Sequence, residues 1–166
     1  MAYGTGDEAS FARLPRVSRR RNWTAALGCQ QRCSDRFRAA VEQGDVHRAR
    51  DLFHETVVFL SPVVFTPYEG RDQVLKVLQA AERVLGVGGT FRYVHQLEDP
   101  TARVAVLEFA TDVDGKHVEG IDKLTFDDEG LITELKVMLR PASALQVVAA
   151  KMVEEFAQVG LGMPGS

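Results

Sequence analysis

The sequence has few cysteines and no long apolar run, and each shortage excludes a class of protein. Cys29 and Cys33 are the only cysteines in 166 residues, too few for a disulfide scaffold. They are spaced for one helix face, and no second Cys/His pair with ligand spacing exists, so we expect no metal site. No apolar stretch approaches the roughly 20 residues of a membrane helix, and no apolar segment follows the N-terminal charges as in a signal peptide. We therefore expect a cytoplasmic protein with reduced thiols.

A strongly basic surface is also missing. The net charge is −3, which argues against non-specific binding of nucleic acid. Arginines concentrate in residues 16–21, inside a segment without apolar periodicity. We predict that residues 1–21 form a flexible, Arg-rich tail, with an anion-binding arm as the alternative. The length then fits one domain over residues 22–160, followed by a disordered C-terminus at 161–166.

Helical periodicity governs the first half of the chain. Phe37, Ala40 and Val41 lie at helical spacing, and Gly44 follows as a stop signal. A run of β-branched and aromatic residues ends at the pair Ser61-Pro62 and predicts a strand. The predicted elements of this half are a helix through Val41, a short helix from Asp45 to Phe53, a strand at Val57–Leu60, a short extended piece at Val63–Tyr68 and a helix at Arg71–Leu85.

After Gly89 the apolar period changes from about 3.6 to 2. Asp114-Gly115 is a strong hairpin signal between two alternating segments. The predicted strands are residues 91–97, Arg103–Val113, Lys116–Phe126 and Leu131–Arg140, before a helix that Pro141 opens. This order predicts an α+β fold with four to six mostly antiparallel strands, one face covered by the early helices.

Asp122 is the informative residue of these strands. Its face of the segment 116–126 is otherwise apolar and should point into the core. A carboxylate placed there is costly unless it is hydrogen-bonded or neutralised, and burial raises its pKa. Such a group suits a general acid. The alternative is a structural carboxylate that backbone N–H groups or a buried cation stabilise.

Strand alternation also predicts the surroundings of Asp122. Tyr93 and His95 share a strand face with Phe91 and Leu97, so either can complete a polar lining, and His95 could act as a base near neutral pH. The alternative for His95 is a histidine at the edge of the core, bonded to backbone or solvent. The predicted pocket lining consists of Phe37, Phe59, Ser61, Leu107, Phe109, Leu135 and Val137.

Residues 37–71, Gly120–Ile132 and Val137–Pro141 carry a resemblance to a known family. The first segment resembles the opening of SnoaL-like proteins, which belong to the nuclear-transport-factor-2-like superfamily. The second resembles their penultimate hairpin, and the third resembles a frequent ending among bacterial members. The match covers roughly residues 34–158. The resemblance implies a curved sheet that forms a cone around an apolar pocket, with helices on the concave face. It also implies a homodimer.

Two enzymes of this superfamily give sharper comparisons. Asp122 matches the aspartic acid of ketosteroid isomerases that stays protonated at pH 7 and helps bind an oxyanion. Ser61 stands where those enzymes have the base and Phe37 where they have a tyrosine. Limonene-epoxide hydrolases have Tyr and Asn where this chain has Phe59 and Ser61. The resemblance therefore argues against both activities. Polyketide cyclases of this fold rely on one acidic group, a role that Asp122 could fill.

Two hypotheses of function remain. The first is a cofactor-independent acid/base enzyme, a cyclase, isomerase or dehydratase that acts through Asp122 on a small apolar molecule. The second is a non-catalytic module for ligand binding or dimerisation. For the dimer we expect a two-fold contact through the convex sheet face, which combines apolar and charged side chains. The residues predicted on that face are Glu108, Glu134, Lys136, Met138 and Arg140.

Overall fold

The computed structural model describes residues 23–162. The predictions for residues 1–21 and for 163–166 lie outside the described residues. The helices are α1 (Trp23–Glu42), α2 (Arg71–Leu85) and α3 (Ala142–Gln158), with short 3-10 helices at Val46–Leu52 and Val87–Gly89. The strands are β1 (Phe53–Leu60), β2 (Tyr68–Glu69), β3 (Arg92–Asp99), β4 (Val104–Val113), β5 (Lys116–Phe126) and β6 (Ile132–Arg140).

The six strands form one curved sheet in the order β2-β1-β6-β5-β4-β3. The pair β1–β6 is parallel, and every other pair is antiparallel. The parallel pair follows from the long connection between the first strand and the last, whereas β3 to β6 are joined by short turns. The predicted α+β class, with a mostly antiparallel sheet, is confirmed.

The helices bury their apolar stripes against the inner face of this sheet. In α1 the ring of Phe37 is fully buried and meets Phe53 of β1 edge to face, with the ring centroids 6.1 Å apart. In α2 the buried positions include Val74, Leu75 and Leu78, one face of a 3.6-residue period. Burial of these side chains removes apolar surface from water, which stabilises the fold by about 25 cal/mol for each Å² buried. The stripes therefore decide which face of each helix turns inward.

Some element boundaries differ from the predictions. The strand β1 begins at Phe53 rather than Val57, and the short helix before it is a 3-10 helix in which the Asp45 side chain makes no capping hydrogen bond. The extended piece predicted at 63–68 is reduced to the two residues of β2. In β6, Ile132 rather than Leu131 is fully buried, because a register irregularity opposite Phe126 resets the alternation.

No helix among residues 23–162 is long and apolar enough to cross a membrane. The cytoplasmic location stays a prediction.

Candidate functional site

A cavity of about 330 Å³ lies between the inner face of the sheet and the three helices. Ligand pockets have volumes of roughly 300–1,000 Å³ and predominantly apolar walls. The sheet side of the wall consists of Phe59, Phe91, Phe109, Asp122, Val137 and Leu139. The helix side includes Phe37, Val41, Val77, Leu78, Ala81, Leu85, Val148, Ala149, Met152 and Phe156. The polar or irregular remainder includes Glu42, Gln43, Gly44, Ser61, Glu82, Gly86 and Gly89.

Asp122 stands in the middle of β5 and lines this cavity. Its Cα lies opposite Leu107 of β4 and Val137 of β6, so apolar neighbours flank it on both sides. The residue is only 8% exposed. Burial strips water from the carboxylate and raises its pKa from 3.8 to about 7, although a hydrogen bond from Tyr93 works in the opposite direction. Near neutral pH this carboxyl group can therefore both hold and release a proton.

Tyr93 lies behind the wall and orients the carboxyl group. Its hydroxyl donates to Asp122 Oδ2 over 2.5 Å, and the residue is only 4% exposed. Burial, and then the nearby charge of Asp122, keep the pKa of Tyr93 well above its ordinary value of 10.0. The phenol therefore stays a donor at physiological pH. Tyr93 therefore engages Oδ2, and no side chain among the described residues donates to Oδ1.

Two side chains of α1 hold Tyr93 in place. The backbone N–H of Tyr93 donates to Glu42 Oε1 over 3.1 Å, and Arg38 Nη2 donates to the Tyr93 carbonyl over 3.1 Å. Arg38 and Glu42 also pair with each other, at 3.2 Å between Nη2 and Oε1. The Arg38 guanidinium lies 5.8 Å from the centroid of the Tyr93 ring, within cation–π range. Both the backbone and the ring of Tyr93 are thus tied to α1.

Gly120 makes room for the aromatic wall beside Asp122. A β-carbon at this position would lie 2.2 Å from Cζ of Phe109 and 2.7 Å from Cδ2 of Leu139. Without it, the Phe109 ring lies over β5 and stacks on Phe91, at 5.1 Å between centroids. The glycine therefore permits a close approach of side chain to backbone that shapes the cavity floor.

Strand alternation predicted the buried face of β5 correctly and the residues of the cavity lining only in part. In β5 the apolar face that includes Asp122 is the buried face, as predicted. Of the predicted lining residues, Phe37, Phe59, Ser61, Phe109 and Val137 do line the cavity.

Leu107 and Leu135 are a correction to the predicted lining. Both are fully buried in the main hydrophobic cluster and do not reach the cavity wall. Parity assigns a side chain to a face of the sheet, and the tertiary packing decides whether that part of the face is filled.

The prediction that His95 faces the pocket is wrong. A β-bulge in β3 places Tyr93 opposite Phe109 but His95 opposite Glu108, so two residues of β3 correspond to one of β4. The alternation reverses there, and His95 is exposed on the outer face, where Nδ1 lies 2.8 Å from Glu108 Oε2. Leu97 is 66% exposed on the same side. The ring of His95 therefore cannot act on a molecule in the cavity.

Several functional candidates carried no sequence signal. Arg38, Glu42 and Glu82 read as ordinary solvated charges on helices, and only the tertiary fold brings them beside Tyr93 or the cavity. The α3 residues Met152 and Phe156 lie four positions apart on one helix face, but an apolar stripe of this kind is typical of a core as well as of a pocket. Within residues 23–162 no group of three His, Cys, Asp or Glu side chains is placed to hold a metal ion.

Comparison with known proteins adds a sequence family and a set of similar folds. The profile of the SnoaL-like domain matches residues 35–135. No curated protein matches this chain. A steroid delta-isomerase from Pseudomonas aeruginosa is 31% identical, with a TM-score of 0.73, and the match covers 78% of this chain and 93% of that one.

Two further structures are similar at lower identity. An uncharacterized protein with a cystatin-like fold from Silicibacter pomeroyi is 25% identical, with a TM-score of 0.68, and the match covers 77% of this chain and 92% of that one. SalBIII, an epoxide hydrolase/cyclase-like enzyme of pyran ring formation in salinomycin, is 16% identical with a TM-score of 0.56, over 69% of this chain and 92% of that one. The likeness to SalBIII concerns the fold alone.

Proposed function

Because the chain belongs to the SnoaL-like domain family, we propose that its cavity binds a small, largely apolar molecule on which Asp122 acts as a cofactor-independent acid/base catalyst. The observation that carries this proposal is the position of Asp122: a buried carboxyl group on the wall of an apolar cavity, with one oxygen held by Tyr93. The reaction classes that fit are isomerisation, cyclisation and dehydration. The 31% identical steroid delta-isomerase supports the first.

In this proposal each oxygen of Asp122 has its own role. In the protonated group the proton resides on Oδ1, since Oδ2 accepts the hydrogen bond from Tyr93. Transfer of that proton to a substrate oxygen leaves a carboxylate, and the same phenol stabilises the charge. Return of a proton to Oδ1 restores the acid for the next turnover. A pKa of about 7 makes both transfers accessible near neutral pH.

Of the three polar groups that the family resemblance places in a ketosteroid isomerase, this chain has only the one at Asp122. Phe37 and Ser61 line the cavity but supply neither the phenol nor the carboxylate that the family resemblance places there. We therefore propose proton transfer at a single carboxyl group and do not propose ketosteroid isomerisation.

A retained ligand and one substitution test the proposal. Native mass spectrometry of the purified chain should reveal a bound small molecule, whose conversion is then followed. Asp122→Asn should preserve the fold and the binding of that molecule but abolish its conversion, because an amide cannot donate and recover a proton in the same way. The exposed Asp51→Asn is the matched control and should leave conversion unchanged.

Unaltered conversion by Asp122→Asn would contradict the enzymatic role. A bound molecule that both proteins release unchanged would favour the alternative, a ligand-binding module without catalysis.

We also propose that the chain forms a homodimer through the outer face of the sheet. Ile121 and Met138 lie opposite each other at the centre of that face and are 36% and 51% exposed. The ion pairs Lys123–Glu134 and Arg140–Glu119 lie near them. An apolar centre within a charged rim is typical of self-complementary interfaces. Light scattering at micromolar concentration should show a dimer that Met138→Glu dissociates; a monomeric parent protein would contradict this proposal.

A further inference from the structure

All charged side chains that line the cavity are carboxylates. These are Glu42, Glu82 and Asp122, and no lysine, arginine or histidine among residues 23–162 lines the cavity with them. The uncharged polar members are Gln43 and Ser61. A molecule that enters therefore encounters apolar, neutral or negative groups.

Two arginines on the same helices as these carboxylates, Arg38 of α1 and Arg83 of α2, already have partners. Arg38 pairs with Glu42 and donates to the backbone of Tyr93, behind the cavity wall. Arg83, which follows Glu82 in α2, pairs with Glu155 of α3 at 3.3 Å. Neither arginine lines the cavity, so neither is placed to neutralise an anion inside it. The Arg38 pair offsets the charge of Glu42, which leaves Glu82 as a cavity carboxylate without an ion pair among the described residues.

Two helix ends add negative potential at the same place. The helix α1 ends at Glu42 and α2 ends at Leu85, and residues 42–44 and 85–86 all line the cavity. A β-carbon on Gly44 would lie 3.1 Å from Glu82 Oε1, so the two helix ends adjoin. The C-terminal end of a helix carries a partial negative charge. We call residues 42–44, 82 and 85–86 the acidic rim.

From the acidic rim we infer that the cavity selects its ligand by the sign of its charge. Resting on the proposed function, this inference names the ligand class: apolar molecules with a hydroxyl, a carbonyl or an amine group are admitted, and carboxylates are excluded. An anion at the rim meets like charges with no basic side chain to pair it, whereas an ammonium group is attracted there. The apolar walls bind the hydrocarbon part of either molecule equally.

Three ligands with the same alkyl chain separate the effect of charge from that of apolar contact. These are 1-decanol, decylammonium and decanoate, each measured at pH 7.5 by displacement of a neutral fluorescent probe. Decanoate and decylammonium both lose hydration on binding, so their comparison isolates the sign of the charge. We expect decanoate to bind at least about tenfold more weakly than decylammonium.

A charge-neutral variant and a matched control locate the effect. Glu82→Gln should reduce the ratio of the two affinities several-fold, because decanoate then binds more tightly and decylammonium more weakly. Glu154→Gln removes the same charge from an exposed position of α3 outside the cavity lining and should leave the ratio as it is. Glu42→Gln is a second rim variant, in which the amide oxygen can still accept from the backbone of Tyr93. Melting temperatures show that each variant is folded.

The outcomes distinguish this inference from the function on which it rests. Equal affinity for decanoate and decylammonium, with 1-decanol bound, would overturn charge selection and leave the binding cavity standing. An equal decrease in the ratio of decylammonium to decanoate affinity in Glu82→Gln and Glu154→Gln would also overturn it, because the effect would then come from net charge alone. Failure of all three ligands to displace the probe would overturn the proposed function together with the inference.

Discussion

Two acidic residues on the inner side of the sheet, Glu98 and Asp122, have opposite surroundings. Glu98 of β3 accepts hydrogen bonds from Gln30 at 2.8 Å, from Gln96 at 3.2 Å and from the Ser34 hydroxyl. Among the described residues, Asp122 accepts one side-chain hydrogen bond, from Tyr93, and it lines a cavity. A carboxylate with several donors is stabilised in its charged form, whereas one with a single donor in an apolar wall is destabilised in that form. Partner number therefore separates a structural acid from a candidate catalytic acid.

The largest expected effect is that of Asp122→Asn on the pH dependence of stability. The folded-state pKa of about 7 lies above the ordinary 3.8, so the native state binds the proton more tightly than the unfolded state. Stability contributed by the protonated group is therefore lost as pH rises from about 4 to about 7. The free energy of unfolding of Asp122→Asn relative to that of the parent should therefore increase by about 2–3 kcal/mol when the pH is raised from 5 to 8. Urea denaturation of both proteins at the two pH values measures this difference, and a constant difference would contradict the raised pKa.

The equivalent change at Glu98 should destabilise the protein. Glu98→Gln replaces one of the two acceptor oxygens by an NH₂ group, which then faces the donor of either Gln30 or Gln96. Loss of these charge-assisted bonds should destabilise the protein by about 1–2 kcal/mol at pH 7. Urea denaturation of Glu98→Gln and of the parent at pH 7 measures this loss, and an unchanged free energy of unfolding would remove the distinction between the two acids.

Tyr68 extends the comparison to a buried polar group with no partner. Its hydroxyl is buried and finds no hydrogen-bond partner among the described residues, while its ring packs against Phe59 and Phe156. Removal of such a group relieves a desolvation cost. Tyr68→Phe should therefore raise the free energy of unfolding by up to about 1 kcal/mol. A loss of stability would show that the hydroxyl has a partner, for instance a bound water.

The smallest expected effect is that of removing the hydrogen bond from Tyr93 to Asp122. Tyr93→Phe removes the hydrogen bond that favours the carboxylate, so the pKa of Asp122 should rise above its value in the parent. A carbon-13 NMR titration of the Asp122 carboxyl group measures the midpoint in both proteins. A lower midpoint in Tyr93→Phe would mean that water enters and solvates the charge.

Local patterns sufficed for much of the fold and for one residue of the site. The alternation in β5 was long and uninterrupted, so it predicted the face of Asp122 correctly. The same reasoning failed for His95, because one extra residue in β3 reverses the alternation and no signal in the sequence marks the bulge. It also placed Leu107 and Leu135 in the cavity wall, although packing fills that part of the inner face.

The sequence by itself determined the order of the elements, the mostly antiparallel sheet and the inward direction of Asp122, because these depend on periodicity among near neighbours in the chain. Only the tertiary structure decided which residues complete the site. Asp122 and Tyr93 are separated by 29 positions, and Arg38 lies 55 positions before Tyr93. Contacts over such distances arise when helices dock on a sheet, and they depend on the bulge in β3 and on the space left by Gly120. The acidic rim has the same origin, since two helix ends meet there that no local pattern connects.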